Sequence, residues 1–295
     1  MAGVSIDICI CTFRRPHLAE TLRSIGDLDV TGIDARVIVS DNDHLPSARS
    51  CVEAIAPGLP FPIIYLHSPA SNISIARNAC LAAATADFIA FIDDDELSSR
   101  DWLQKLLAAA PDADVVLGPV KAVYGPTAPK WLARGDFHST APVYVRGGIE
   151  TGYTCNVLIR RSPLIEGLSF DPAFGRTGGE DTTFFYRLHD LGAVMTAAPD
   201  AIVYEPVPPE RERMSWLFRR RIRAGHTYGS RLRSRGRLAA LLPPAAKVCY
   251  CLAMAAVTAP SPVGWRRNAL RAALHLGVLG GILGQRQAAQ YGDTG

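Results

Sequence analysis

A run of four acidic residues follows an apolar segment in the first half of the chain. Phe88-Ile89-Ala90-Phe91-Ile92 contains no polar residue, and Asp93-Asp94-Asp95-Glu96 comes directly after it. Crowded carboxylates repel one another unless a cation neutralises them. Mg²⁺ and Mn²⁺ take oxygen ligands and commonly bridge one or two carboxylates to substrate phosphates. The run therefore predicts a divalent-cation site, and a solvated acidic loop that begins a helix is the alternative.

Charge is distributed unevenly along the chain. The 295 residues carry a formal net charge of +3, but residues 1–210 contain 16 Lys and Arg against 26 Asp and Glu, whereas residues 211–295 contain 15 against 2. Such asymmetry favours an anionic partner, which is nucleic acid, phosphate or a membrane surface. The seven cysteines include no CxxC pair, so the sequence supports neither a zinc site nor a disulfide framework and indicates a reducing compartment.

Apolar runs of strand length alternate with segments of helical period over the first 120 residues. Predicted strands lie over 4–11, 36–40, 63–66, 88–92 and 114–117, with helical patterns between them. This alternation predicts an α/β fold with a mostly parallel, Rossmann-like sheet flanked by helices. Ligands of such sheets bind beyond the carboxyl ends of the strands. Polar residues collect there after the first, second and fourth strands, namely at 12–14, 41–43 and 93–96.

The second half of the chain is less periodic. Residues 118–155 are rich in Gly, Pro and aromatic residues and predict a loop-heavy substrate region. A strand is predicted over 154–159, and helices are predicted over 180–191 and 214–228.

Five segments resemble the family 2 glycosyltransferases with the GT-A fold, in order and in spacing. They read ICICTFRRP, VIVSDN, NISIARNACLAAAT, FIAFIDDDE and GGEDTTFFYRL, and the likeness covers residues 4–230. Within that family the motifs are similar to those of bacterial exopolysaccharide glucosyltransferases of the succinoglycan type. The resemblance implies an inverting, metal-dependent enzyme. It implies transfer of a hexose such as glucose from a UDP-sugar to a hydroxyl of a glycan or lipid-linked saccharide.

The resemblance assigns nucleotide contacts to residues near the strand ends. It implies that Thr12 and Arg14 contact the nucleotide and that Asp41 accepts a hydrogen bond from the uracil or ribose. Arg77 is placed near the nucleotide or the diphosphate. On residue type alone, Asp41 also suits a turn, and Arg14 and Arg77 also suit a surface position or a helix face.

The acidic run matches the family's DxD element. The resemblance implies that Asp93 and Asp94 lie against the nucleotide and that Asp93 and Asp95 bind Mn²⁺ or Mg²⁺. In related enzymes a segment beyond the catalytic base supplies Arg or His to the diphosphate, which makes His226 a candidate phosphate donor or third metal ligand. A purely structural histidine is the alternative.

Asp181 matches the general base of the family, and Glu180 beside it is a second candidate for base or acceptor binding. A carboxylate within hydrogen-bond reach can take the proton of an attacking hydroxyl, and one base without an enzyme nucleophile means inversion. Gly178-Gly179 permits close approach of a ligand. The alternative is that the acidic pair simply begins a helix.

The basic and apolar end of the chain predicts an interaction with a membrane. Residues 211–237 contain ten arginines and one acid, and neither apolar run after Leu238 reaches the ~20 uninterrupted residues of a spanning helix. An in-plane or re-entrant amphipathic hairpin with arginines facing lipid phosphates is expected. A helical pair packed on the catalytic domain and a true membrane span are the alternatives. We therefore expect a location at the cytoplasmic face of the inner membrane and a lipid-linked or glycan acceptor.

The expected domain division follows the motifs. Residues 1–230 form the catalytic domain, with a nucleotide-sugar half at 1–117 and an acceptor and base half at 118–230. Residues 231–295 form the helical tail. The Gln-x-x-Arg-Trp element of processive family members is missing from the sequence, which favours addition of a single sugar.

Two other functions compete with this prediction. A sugar nucleotidyltransferase needs a Gly-rich loop after the first strand, and residues 12–16 contain no glycine. A catalytically inactive nucleotide-sugar-binding partner has no need to keep Asp93, Asp95 and Asp181 together. No nucleic-acid partner is expected, because the arginines lack the interleaved aromatic residues of a stacking platform.

Overall fold

A computed structural model describes residues 3–234, 236 and 238–285, and for residues 238 and 239 it describes the backbone only. The strands are β1 Val4–Thr12, β2 Ile33–Asp41, β3 Ile63–His67, β4 Phe88–Ile92, β5 Leu97–Ser98, β6 Val115–Leu117, β7 Val120–Tyr124, β8 Tyr144–Val145, β9 Gly148–Ile149, β10 Asn156–Arg160, β11 Met195–Ala197 and β12 Val203–Val207. The α-helices are α1 Leu18–Gly26, α2 Arg49–Ile55, α3 Ile73–Ala83, α4 Trp102–Ala108, α5 Lys130–Gly135, α6 Glu180–Asp190, α7 Met214–Ser234, α8 Leu242–Val257 and α9 Gly264–Leu283.

The main sheet contains seven strands in the order β11-β6-β10-β4-β1-β2-β3. All of its neighbouring pairs are parallel except those of β10, which is antiparallel to both β4 and β6. The predicted α/β fold with a mostly parallel sheet is therefore confirmed. Two smaller sheets have the orders β5-β12-β7 and β8-β9.

Both faces of the main sheet are covered by helices because its central strands are apolar on both sides. Ile6, Ile8 and Ile10 of β1 belong to one buried cluster, which also contains apolar residues of α1, α2 and α4. Cys9, from the same strand, belongs to a second cluster with residues of α3 and α6. Alternate side chains of a strand point to opposite faces, so a strand without polar alternation requires a layer on each side.

The described residues divide into two compact units, one of residues 3–121 and 140–205 and the other of residues 122–139 and 206–285. The first contains the seven-stranded sheet. The separation of a catalytic domain at 1–230 from a tail at 231–295 stays a prediction. The expected loop-heavy segment 118–155 does contain irregular chain, together with β7, α5, β8 and β9.

The second unit is built around α7, α8 and α9. Gly225 and Gly229 of α7 face Gly277 and Gly281 of α9, and a Cβ on any of the four would overlap a backbone carbonyl oxygen of the other helix. Small residues four apart on both helices thus let the two backbones touch. Within the residues that the structure describes, no helix has both the length and the apolarity that a crossing of the bilayer requires.

Candidate active site

Helix α3 anchors the loop that precedes α6. Asn72 caps the helix, accepting from the Ser74 N–H at 3.1 Å. Asn72, Ser74 and Asn78 also donate to the backbone carbonyls of residues 172, 171 and 170, at 2.9, 2.8 and 2.8 Å. Three polar side chains of the NISIARN segment therefore hold the chain that leads into the Gly178-Gly179-Glu180-Asp181 segment.

Two glycines in the left-handed region turn the chain into α6. Gly178 and Gly179 have φ angles of +88° and +91°, values that other residues adopt only at a cost. Glu180 and Asp181 then occupy the first turn of α6, where the helix dipole favours carboxylates. The glycines thus set the direction in which both acidic side chains leave the backbone.

Arg77 of α3 joins the acidic run to the start of α6. Its guanidinium forms an ion pair with Glu180 and lies 3.9 Å from Asp93. The Arg77 side chain is 9% exposed and packs over the ring of Phe170, 5.6 Å from its centre. Burial opposes the charge, but Glu180, Asp181 and Asp93 outweigh it and raise the pKa of Arg77. The structure therefore brings together Arg77, Asp93 and Glu180 as neighbours.

The acidic run begins where β4 ends and turns back on itself. Glu96 is buried and accepts a hydrogen bond from the Asp93 backbone N–H at 2.9 Å. Ligand atoms of Asp93, Glu96 and Cys155 lie within 4.8 Å of one another. The Asp93 side chain is 46% exposed. Desolvation of its carboxylate, opposed by Arg77 and reinforced by Asp95 and Asp94, raises the pKa of Asp93 to about 7.

Asp94 and Asp95 share a cationic neighbour that follows β1. The Arg15 guanidinium lies 3.9 Å from a carboxylate oxygen of each. One oxygen of Asp94 is buried without a hydrogen-bond partner. Burial, with a contribution from Asp95, raises the pKa of Asp94 to about 7.

This group of side chains fits a hard divalent cation. Asp93 and Glu96 of the run place carboxylate oxygens within 4.8 Å of each other and of the Cys155 sulfur, and carboxylate oxygens are the donors that Mg²⁺ and Mn²⁺ prefer. Burial raises the pKa values of Asp93 and Asp94 because it disfavours their ionised forms, and one Asp94 oxygen has no hydrogen-bond partner. A cation bound there would restore both carboxylates to their ionised form.

Asp41 and Arg14 have protein partners near the end of β2. Asp41 is fully buried and accepts hydrogen bonds from the Asp43 N–H, the Ala48 N–H and the Tyr65 hydroxyl, at 3.1, 2.8 and 2.7 Å. Arg14 binds both carboxylate oxygens of Asp43, at 3.0 and 2.9 Å, and its hydrogen bonds lower the pKa of Asp43. The loops after β1 and β2 are thereby tied together, and the nucleotide contacts of Asp41 and Arg14 stay predictions.

His226 lies on α7 in the second unit. Its Nε2 is 2.6 Å from the carbonyl oxygen of Gln285, and its Nδ1 is 3.4 Å from the hydroxyl of Ser230. Metal binding by His226 would require one of these contacts to break, and this role also stays a prediction.

Three residues at the site received no individual role from the sequence. Glu96 is the last member of the acidic run, so the composition of that segment already pointed to it. Arg15 directly follows Arg14, but a motif of two arginines does not indicate which one faces the acids. Cys155 is adjacent because Asn156 of β10 pairs with Ile92 of β4, a register that no local pattern reveals.

A mostly parallel sheet flanked by helices, with carboxylates at the carboxyl ends of its strands, is the arrangement of the GT-A fold. Residues 7–168 match the family model described as glycosyl transferase family 2, and the chain belongs to this family of enzymes.

Relatives and solved structures agree with this assignment. The chain is 50% identical to the succinoglycan biosynthesis protein ExoM of Rhizobium meliloti (strain 1021), over 97% of this chain and 96% of that protein. The mannosyltransferase PcManGT from Pyrobaculum calidifontis, solved with GDP-Man and Mn²⁺, superposes with a TM-score of 0.63 at 19% identity, over 95% of this chain and 88% of that one. S. aureus TarS 1–349, solved with UDP-GlcNAc, has a TM-score of 0.55 at 15% identity, with 90% of each chain covered. The two structures support the shared fold.

Proposed function

We propose that this glycosyltransferase is inverting and metal-dependent, and that it moves a hexose from a UDP-sugar to a hydroxyl of a glycan or lipid-linked saccharide during exopolysaccharide assembly. The observation that carries the proposal is the position of Arg77, which contacts both Asp93 and Glu180. It links the acidic run to the residue beside Asp181. The 50% identity to a succinoglycan biosynthesis protein supports the class of pathway, and the resemblance of the motifs supports a UDP-linked donor.

The acidic run would hold the cation. We assign it to Asp93 and Asp95, with Glu96 behind them fixing the turn through its hydrogen bond to the Asp93 N–H. A divalent cation bound there supplies Lewis-acid neutralisation of the leaving diphosphate. Arg15, beside Asp94 and Asp95, adds positive charge on the same side.

We assign the general base to Asp181. Both hydrogen bonds that Asp181 receives from Thr182 go to Oδ1, so Oδ2 is the oxygen to which we assign proton transfer. The acceptor hydroxyl gives its proton to Oδ2 while its oxygen bonds to the anomeric carbon, and the bond from that carbon to the diphosphate breaks with its electron pair. One displacement of this kind inverts the anomeric centre.

Glu180 is assigned a positioning role. Its carboxylate is buried and paired with Arg77, so it is engaged by a protein cation. Burial raises the pKa of Glu180 although Arg77 opposes the shift. The pair fixes the first turn of α6 and therefore the place of Asp181.

A panel of nucleotide sugars tests this proposal. The purified protein with Mn²⁺ is expected to hydrolyse one UDP-hexose slowly, and proton NMR is expected to show that an α-linked donor first releases the β sugar. Release of the α sugar would contradict inversion. No turnover of any donor together with tight UDP binding would favour the inactive partner, and consumption of a nucleoside triphosphate would favour the nucleotidyltransferase.

A further inference from the structure

Helix α8 has an apolar face that nothing in the described part of the second unit covers. Pro244, Val248 and Cys251 are buried on one side of the helix. The opposite side carries apolar residues at helical spacing, and its ends Leu242 and Val257 are 79% and 71% exposed. We call this side the α8 face, and it consists of Leu242, Ala246, Cys249, Tyr250, Leu252, Ala253, Ala256 and Val257, all of them exposed.

Exposed apolar residues continue onto α9. The six residues 258–263 join α8 to α9, so the two helices form a hairpin. Leu276 and Leu283 of α9 are exposed as well. Exposed apolar residues grouped along one side of a helix, as on the α8 face, mark an interaction with a protein or a membrane.

The charges around the α8 face have a single sign. Lys247 and Arg271 are exposed, and both lie close enough to His275 to lower its pKa, after the larger effect of burial. At the α9 end, the Arg266 guanidinium stacks 4.4 Å from the ring centre of Trp265. The sequence contains no Asp or Glu between Glu212 and Asp293. The partner of this surface must therefore be apolar and bring its own negative charge.

An anionic lipid bilayer meets both requirements, because its acyl region accepts apolar side chains and its phosphates accept Lys and Arg. A second copy of the chain meets only the first requirement. Two α8 faces placed together would bring Lys247 and Arg271 of one copy near the same cations of the other, with no carboxylate between them. Such contacts between like charges disfavour self-association.

We propose that the α8 face docks the protein on an anionic lipid bilayer. Helix α8 lies along the membrane plane with Leu242, Tyr250 and Val257 toward the acyl chains, and Lys247 and Arg271 contact lipid phosphates. The surface of a bacterial inner membrane that faces the cytoplasm has this chemistry. The proposal is independent of the donor, the acceptor and the base, since it concerns only the helical unit.

Vesicle sedimentation tests the docking surface. The full chain is mixed with vesicles of phosphatidylglycerol and phosphatidylcholine at a ratio of 30 to 70, or of phosphatidylcholine alone, without donor or acceptor. We expect the wild type to bind the anionic vesicles at least about tenfold more tightly, a preference that weakens with salt. The double variant Leu242→Glu/Val257→Glu is expected to lose this binding about tenfold or more, and Lys247→Glu/Arg271→Glu is expected to remove the preference for anionic lipid.

The matched control is Leu45→Glu/Val143→Glu, which makes the same change at two exposed apolar residues of the first unit. It is expected to bind vesicles as the wild type does. Far-UV circular dichroism and UDP binding check that every variant is folded. Equal vesicle binding by the α8 variant and the control would overturn the proposal. Equal binding of the wild type to anionic and neutral vesicles would also overturn it. A third contradicting result is a wild-type dimer that becomes monomeric in the α8 variant while vesicle binding stays unchanged.

Discussion

Arg77 is the residue on which the electrostatics of the site depend. Its buried guanidinium contacts Glu180 and lies 3.9 Å from Asp93. Removing one partner from a buried ion pair leaves an uncompensated charge, which costs more than the pair contributes. Arg77 and Glu180 therefore stabilise the fold only as a pair, whereas Asp181 next to them has its oxygen contacts with its own helix turn.

Substitution of the two neighbouring acids separates stability from catalysis. We expect Asp181→Asn to lower kcat about 100-fold or more, because it removes the general base, and to leave UDP binding and stability nearly unchanged. Glu180→Gln is expected to lower the free energy of unfolding by about 3–5 kcal/mol, because it leaves the charge of Arg77 buried without its ion-pair partner. Urea unfolding and steady-state kinetics measure the two effects, and equal losses of kcat in both variants would contradict the division of roles.

At the scale of elements, the first turn of α6 is placed by its glycines and by α3. Gly175 lies so close to Asn72 that an added Cβ would overlap the side-chain oxygen of Asn72. Gly178 and Gly179 supply the left-handed backbone that follows. The NISIARN and GGED segments thus position the start of α6 together, since the first binds the preceding loop and the second turns the chain into the helix.

Two glycines at opposite ends of α6 provide a matched test of whether the turn before the helix positions Glu180 and Asp181. Gly179 precedes the helix and Gly192 follows it, with φ angles of +91° and +93°. Gly179→Ala and Gly192→Ala should each lower the free energy of unfolding by about 1–2 kcal/mol, the cost of a left-handed residue with a Cβ. Only Gly179→Ala is expected to lower kcat, because only that turn positions Glu180 and Asp181. A similar fall in kcat for Gly192→Ala would show that stability alone controls the activity.

At the scale of the whole molecule, acidic and basic residues are concentrated in different parts of the chain. Residues 1–210 carry the excess of acidic residues and residues 211–295 the excess of basic ones. The acidic excess includes a run whose members Asp93 and Asp94 have pKa values raised to about 7. Protonation or a bound divalent cation removes the cost of burying these two negative charges. The stability of the protein should therefore depend on pH and on the concentration of the cation.

The sign of this dependence follows from the pKa shifts. The free value for Asp is about 3.9, so between that pH and about 7 the folded, metal-free protein binds more protons at Asp93 and Asp94 than the unfolded chain. The contribution of these groups to stability is present at low pH and is lost as the pH rises through 7. A bound cation replaces those protons and therefore stabilises most where the carboxylates are ionised.

Thermal unfolding with and without Mn²⁺ measures this linkage. We expect Mn²⁺ to raise Tm more at pH 8 than at pH 5.5, with a stabilisation of about 2.7 kcal/mol when its concentration is 100 times its Kd. Asp95→Ala should abolish the increase, and Asp112→Ala, at an exposed aspartate outside the site, should retain it. The same Mn²⁺ effect at both pH values would count against binding at the acidic run.

Much of the fold was determined by local sequence. The apolar runs at 4–11, 36–40, 63–66 and 88–92 predicted four strands that the structure contains at nearly the same bounds, because a buried parallel strand needs an unbroken apolar segment. The positions of Arg14, Asp41 and the acidic run after strand ends followed from the same pattern. Motif resemblance added Arg77, Glu180 and Asp181, which no periodicity identifies.

Tertiary structure alone decided which of these residues meet. The contact of Arg77 with Glu180 joins positions 103 residues apart, and it exists because Asn72, Ser74 and Asn78 bind the loop before α6. Cys155 lies beside Asp93 through the antiparallel register of β10 on β4, and Asp41 is occupied by Tyr65 and two backbone N–H groups. Local sequence fixes the propensity and polarity of each segment, whereas register and loop anchoring depend on contacts between distant segments, and these arise only when the chain packs.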